Sequence, residues 1–229
     1  MSDDQNPWVD IPIEPPYVLP MDWPYIEVAN KLKSDTGQLH RARMPEPRSG
    51  PRDAPVVVLQ INPSYEKDSR ENPLSVADEA RLRAALIDEY APHVGIADKS
   101  NKWWNRAVAQ PLAHFGESGR DRVARGICSI EFFPYPSLSF ACALLRLPSQ
   151  AYQFRLVRDA LARDALIVVT RGWSLWLGAI PELHAAEGRT VLRTKNPRSV
   201  AISEGNLEEY DYKRILAALQ SVPALPPAH

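Results

Sequence analysis

Two asparagine–proline steps, Asn62-Pro63-Ser64 and Asn196-Pro197-Arg198-Ser199, are the residues of this chain best suited to chemistry on a polar bond. An asparagine amide is a poor general base, but its oxygen can hold a water by accepting a hydrogen bond. That capacity suits a reaction with a loose, cationic transition state. The following proline restricts the asparagine to β or polyproline geometry and so fixes its aim. Taken singly, each step also reads as an ordinary turn signal. The second step lies among Arg189, Arg193, Lys195 and Arg198. Such a local basic patch fits phosphate contacts and equally fits a solvated charged loop.

Both steps close stretches that read as buried strands, residues 56–61 and 190–194. Two further apolar runs, 126–133 and 165–170, have the same character. Helical spacing predicts helices over 75–90, 101–115 with a kink at Pro111, 150–163, 174–179 and 206–221, and a short one over 23–33. Asp78 and Glu79 suit the dipole of a first helical turn. Strands alternating with helices imply parallel βαβ units. The expected fold is α/β: a three-layer α/β/α sandwich with a central, mainly parallel four-stranded sheet. Ligands of such sheets bind just beyond the carboxyl ends of the strands. Asn62-Pro63-Ser64, residues 131–136, Arg171-Gly172-Trp173 and Asn196-Pro197-Arg198-Ser199 are therefore predicted to converge on one edge.

Composition narrows the choice. At 229 residues with 45% hydrophobic content, the chain can bury one sizeable core. Net charge is −1 and the isoelectric point about 6.5, which excludes a globally basic nucleic-acid binder. Mean hydropathy is −0.32, and no apolar run approaches the roughly 18 residues of a membrane span. The start, Met1-Ser2-Asp3-Asp4, lacks an apolar signal region, so a cytoplasmic protein with no membrane partner is expected. Cys128 and Cys142 read as reduced core thiols. The scattered histidines lack metal-ligand spacing, so neither a metal nor a cofactor is expected. Many of the 22 prolines fall in the first 55 residues and in the tail. Residues 1–55 read as an extended arm packing on a core domain of residues 56–229.

The ordered set of pieces resembles the uracil-DNA glycosylase superfamily. That superfamily carries a strand ending in a "GLNPG", "GINPG" or "GQDPYH" type motif, matched here by Gln60-Ile61-Asn62-Pro63-Ser64. Lys102-Trp103-Trp104-Asn105-Arg106 is similar to its asparagine–arginine–aromatic helix. Ile127 to Pro134 resembles the middle strand that ends in a base-reading residue, here Glu131. Val168 to Trp173 and the "HPS" or "NPS" type loop at Asn196-Pro197-Arg198-Ser199 complete the order. The pieces span roughly 56–205; the first 55 residues and the insert at 66–100 have no counterpart in it.

The resemblance implies a monomeric enzyme that flips a damaged or unusual base out of double- or single-stranded DNA and hydrolyses its N-glycosidic bond, leaving an abasic site. It implies that Asn62 positions the water and that Asn196 donates to the leaving base or the sugar-phosphate. Gln60, Ile61, Ser64, Tyr65, Glu131 and Phe133 would line the base pocket. Lys195, Arg198, Ser199 and Val200 would hold DNA, with Val200 or Arg198 as the wedge in the vacated stack.

The departures from the family point to a substrate. Gln60 and Ser64 stand where many members have glycine. One branch has a tyrosine at the position of Ser64 that blocks five-substituted pyrimidines, so a serine leaves room there. Glu131 replaces an asparagine that matches uracil; a carboxylate only accepts, which favours an exocyclic amine such as cytosine N4. The expected substrate is a five-substituted or hypermodified cytosine of the kind found in phage DNA, rather than uracil. The bland alternative is that Glu131 pairs with Arg171 and reads nothing. Tyr65, Phe133 and Trp173 are the aromatic candidates to stack on the base, whereas Trp103 and Trp104 read as core. Two cysteines argue against the iron–sulfur branch, which needs four. Classical uracil excision, hydrolysis of free nucleosides and a catalytically silent DNA-binding module of the same fold remain the rival readings.

Overall fold

The computed structural model describes residues 5–33, 37–63, 75–116, 119–140 and 145–223. Ser64, Tyr65, Cys142, the first part of the insert and the proline-rich tail lie outside the described residues. A 3-10 turn at Pro7–Asp10 precedes α1 (Trp23–Lys31), β1 (Arg48–Ser49), β2 (Val56–Gln60), α2 (Val76–Ile87), α3 (Val94–Ala97), α4 (Lys102–Ala107), α5 (Ala109–Phe115) and α6 (Gly119–Gly126). There follow β3 (Ile127–Glu131), α7 (Gln150–Ala162), β4 (Leu166–Val169), α8 (Trp173–Ala179), α9 (Glu182–Ala185), β5 (Val191–Arg193) and α10 (Glu209–Gln220).

The sheet has five strands in the order β1-β3-β2-β4-β5. β2, β3, β4 and β5 pair in parallel, and only β1 is antiparallel. The three-layer α/β/α expectation holds. The fifth strand is β1, two residues of the proline-rich segment with no apolar run to signal them.

Every residue of β2, β3 and β4 is buried, because helices cover both faces. Alternate side chains feed two cores. Val57, Leu59, Cys128, Ile130, Ile167 and Val169 face the proline-rich segment, α7, α8 and α9. Val56, Val58, Ile127, Leu166, Val168 and Leu192 face α3, α6 and α10. The segment before β2 belongs to the first core: Trp8, Tyr17, Leu19, Leu39 and Met44 bury in it. The expected boundary at residue 55 thus separates β1 from its own sheet.

The helix expected over 101–115 breaks at Val108, not at Pro111. Pro111 occupies the first turn of α5, where its missing N–H would lack a partner in any case. Trp104 packs against the second core, while Trp103, expected inside, is 38% exposed. Among the described residues, no helix is long and apolar enough to cross a membrane.

Candidate active site at the carboxyl edge of the sheet

The register places Gln60 beside Glu131, Leu59 beside Val169 and Val169 beside Arg193. The four parallel strands therefore end at one level, and the four segments expected to converge leave from that edge. The exits of β2 and β3 stay paired beyond the sheet. Phe132 N–H donates to Gln60 O at 3.2 Å, Phe133 N–H to Ile61 O at 2.7 Å, and Ser137 N–H to Pro63 O at 3.2 Å. Trp176 Nε1 donates to Gln60 O at 2.8 Å from the other side. Asn62 thus sits on a two-chain ledge, not on a free loop. Gly172, at φ +70°, lets the exit of β4 approach this ledge: a Cβ there would stand 3.0 Å from Ile61 Cγ1.

The asparagine side chains are oriented by their neighbours. Ser137 Oγ donates to Ser139 O at 3.0 Å, so its oxygen accepts from Asn62 Nδ2 at 2.9 Å. Asn62 Nδ2 also donates to Pro63 O at 2.9 Å. Its Oδ1 accepts no hydrogen bond from any described residue. Asn196 is the converse. Its Oδ1 accepts from Arg198 N–H at 2.9 Å, and its Nδ2 donates to no described residue. Asn62 is half-buried and Asn196 exposed. Their strands are separated only by β4, roughly two strand spacings, or ~10 Å.

Asn206, which the sequence reading missed, holds the second loop. Its Oδ1 accepts from Asn196 N–H at 3.0 Å, and its Nδ2 donates to Ser199 O at 3.2 Å and Ala201 O at 2.9 Å. Lys195 N–H donates to Asn206 O at 2.8 Å. Val200 and Ser199 are half-buried in this clipped loop, and Arg198 stands exposed on it.

The basic patch is partly neutralised. Arg189 pairs with Asp164 at 2.7 Å and Lys195 with Glu208 at 3.5 Å. Arg193 stacks over Trp173 at 5.0 Å. The Arg198 guanidinium has no acidic partner among the described residues, and its carbonyl accepts from Arg171 Nη2 at 3.2 Å.

Next to Asn62 the ends of β2 and β3 carry buried polar side chains. Gln60 is 4% exposed and Glu131 9%. By strand alternation both face the side of α3 and α6. Gln60 Nε2, Glu131 Oε2 and, past β5, Thr194 Oγ1 are buried without a hydrogen-bond partner. Buried polar atoms are almost always paired, so the neighbouring unpaired atoms of Gln60 and Glu131 are open to a ligand or ordered water. No ion pair joins Glu131 to Arg171 among the described residues. Burial pushes the Glu131 carboxyl well above the usual carboxylate range; the charge of Glu46 adds to this, and Arg171 opposes it. Burial therefore favours the neutral acid form of Glu131 over its carboxylate. In that form the carboxyl both donates and accepts, unlike the acceptor-only carboxylate read from the sequence. Glu46, from the segment before β1, is half-buried, and burial raises its carboxyl too.

Several expected residues serve other ends. Phe133 is wholly buried in an aromatic cluster with Phe132 at 5.2 Å and Phe140 at 5.3 Å, so it is part of the core. Trp173 lies half-buried at the edge beneath Arg193. Asn105 donates to Lys99 O at 2.7 Å and accepts from Arg120 at 2.8 Å, which holds α4 in place. His93 is structural: its Nδ1 caps α3 at Ile96 N–H, its Nε2 meets Ser129 Oγ at 3.0 Å, and burial lowers its pKa to about 3. Cys128 is buried, which pushes its thiol up to about 11. Among the described residues no three His, Cys, Asp or Glu side chains gather as a metal site. Comparison of the chain with protein-family models, with curated proteins and with solved structures finds no match.

Proposed function

We propose that the protein is a DNA glycosylase that flips a modified pyrimidine out of DNA and hydrolyses its N-glycosidic bond, leaving an abasic site. The observation that carries this reading is the complementary pair of half-used amides at one sheet edge. Among the described residues, Asn62 keeps a free acceptor and Asn196 a free donor. As the C1′–N bond stretches, the sugar approaches an oxocarbenium ion and negative charge builds on the base. Asn62 Oδ1 holds the water that caps C1′. Asn196 Nδ2 is aimed at the departing base or the adjacent phosphate. Both are set before the reaction begins, so little reorganisation is needed at the transition state. Arg198 supplies the unpaired positive charge for the DNA backbone.

The test is single-turnover base release from duplexes carrying uracil, cytosine and their five-substituted forms, read as strand scission at abasic sites. Wild type is expected to release a five-substituted pyrimidine. Asn62→Ala and Asn196→Ala are each expected to lose about 100-fold or more in rate while keeping DNA affinity. Release of uracil alone would replace this substrate class with classical uracil excision. DNA binding without any release would make the protein a silent binding module.

A further inference from the structure

We infer that Glu131, flanked by Glu46, is the general acid of this site and hands its proton to N3 of a cytosine-type base as that base leaves. The inference rests on the glycosylase reading and goes beyond it, because it assigns the proton as well as the water.

Three placements support it. Glu131 lies beside Gln60 in register, and Asn62 follows Gln60 by two residues, about 6.6 Å farther along the same ledge. Its Oε2 is buried and unpartnered, as is Gln60 Nε2 on the same face. The charged groups bearing on it come from two elements: Glu46 ahead of β1, itself under Arg43, and Arg171 after β4. Glu131 N–H donates to Pro47 O at 3.1 Å, which ties its backbone to the segment that carries Glu46. None of these groups forms an ion pair with Glu131 among the described residues. Burial and the like charge of Glu46 favour the protonated acid, against the opposing charge of Arg171.

A neutral carboxyl presents O–H and C=O side by side. A cytosine presents N3 and the N4 amine in the complementary order, so two hydrogen bonds form. As the C1′–N1 bond breaks, its electron pair goes to N1 and the Glu131 proton goes to N3. The base then departs as a neutral tautomer, not as an anion. The water held at Asn62 adds to C1′ and releases one proton, and Glu131 takes one back from solvent. Uracil carries N3–H already and cannot accept the proton there. The site is therefore built for amino pyrimidines, whose release is poor without protonation.

The experiment compares 5-hydroxymethylcytosine with 5-hydroxymethyluracil in otherwise identical duplexes. They share the five-substituent and differ at C4 and in the N3 proton. Glu131→Gln keeps the shape but has no proton to give. It is expected to lose about 100-fold or more on the cytosine form and so to lower the ratio of cytosine-form to uracil-form release well below that of wild type. Equal loss on both, or none on either, would overturn the acid role. Glu46→Gln removes a negative charge beside Glu131, so the alkaline limb of the wild-type pH–rate profile is expected to move to lower pH. No movement, or movement the other way, would overturn the pairing. Infrared difference spectra of wild type against Glu131→Gln at neutral pH are expected to show a protonated carboxyl band. Its absence would overturn the proposal whatever the enzyme releases. The band with no release of any base by wild type would instead sink the glycosylase reading, and the proton's destination with it.

Discussion

At the scale of single residues, Glu131 works against the fold that holds it. Its folded-state pKa lies above that of an exposed glutamate. Between those two values the native state holds a proton that the unfolded chain has released. Glu131 therefore supports the fold at pH below the ordinary carboxyl range, and that support is lost as pH rises toward its folded value. Glu131→Gln has no charge to bury, so it is expected to exceed wild type in stability at about pH 8, with the gap closing in acid. Thermal unfolding checks this, each recovered kcal/mol raising Tm by about 2–4 °C. A variant destabilised equally at both pH values would show that lost hydrogen bonds, not charge, set the balance. A residue that costs stability at a sheet edge while its polar atoms lack partners fits selection for a site. Glu131 was legible as a candidate from its place after β3. The raised pKa was not, because it depends first on burial and then on Glu46, which lies 85 positions away in the chain.

At the scale of elements, the second loop depends on one side chain. Asn206 is 5% exposed and bonds to Asn196, Ser199 and Ala201. Asn206→Ala removes all three bonds and is expected to cost about 1–3 kcal/mol. It should also weaken DNA binding by about tenfold, since each 1.4 kcal/mol of loop ordering shifts affinity by that factor. Urea unfolding and duplex titration read the two effects separately. Unchanged binding with lowered stability would show that the loop orders without its clip. The main strands were legible because a strand covered on both faces reads as a continuous apolar run. β1 was not, since Arg48-Ser49 has no periodicity and becomes a strand only by pairing with Ser129 and Ile130. The four-residue helices α3 and α9 are too short to show a helical repeat.

At the scale of the whole molecule, the proline-rich segment is part of the structure that makes the site. Trp8 is wholly buried against Tyr135, with ring centroids 5.8 Å apart. Buried Asp22 accepts from Tyr135 O–H at 2.8 Å and Ser149 N–H at 3.0 Å, and Leu19 N–H donates to Tyr135 Oη at 3.1 Å. These bonds tie the segment to the chain leaving β3, which also carries Ser137, the residue that orients Asn62. Trp8→Ala is expected to cost about 3–5 kcal/mol, measured by denaturant unfolding. A loss under about 1 kcal/mol would mean that the segment only covers a core able to stand without it.

The four parallel strands, the edge they share and the two asparagine–proline steps that leave it were determined by the sequence alone, because double-sided burial and such steps are local signals. Which atoms of those asparagines are free was decided only in three dimensions. Ser137 Oγ and Pro63 O take the Asn62 amide hydrogens, the Arg198 N–H takes the Asn196 oxygen, and Asn206 holds the second loop. The charge of Glu131 was decided there too, by burial beside Glu46 and the lack of an ion-pair partner among the described residues. Hydrogen-bond direction and desolvation depend on neighbours remote in the chain, and only the fold brings those neighbours together.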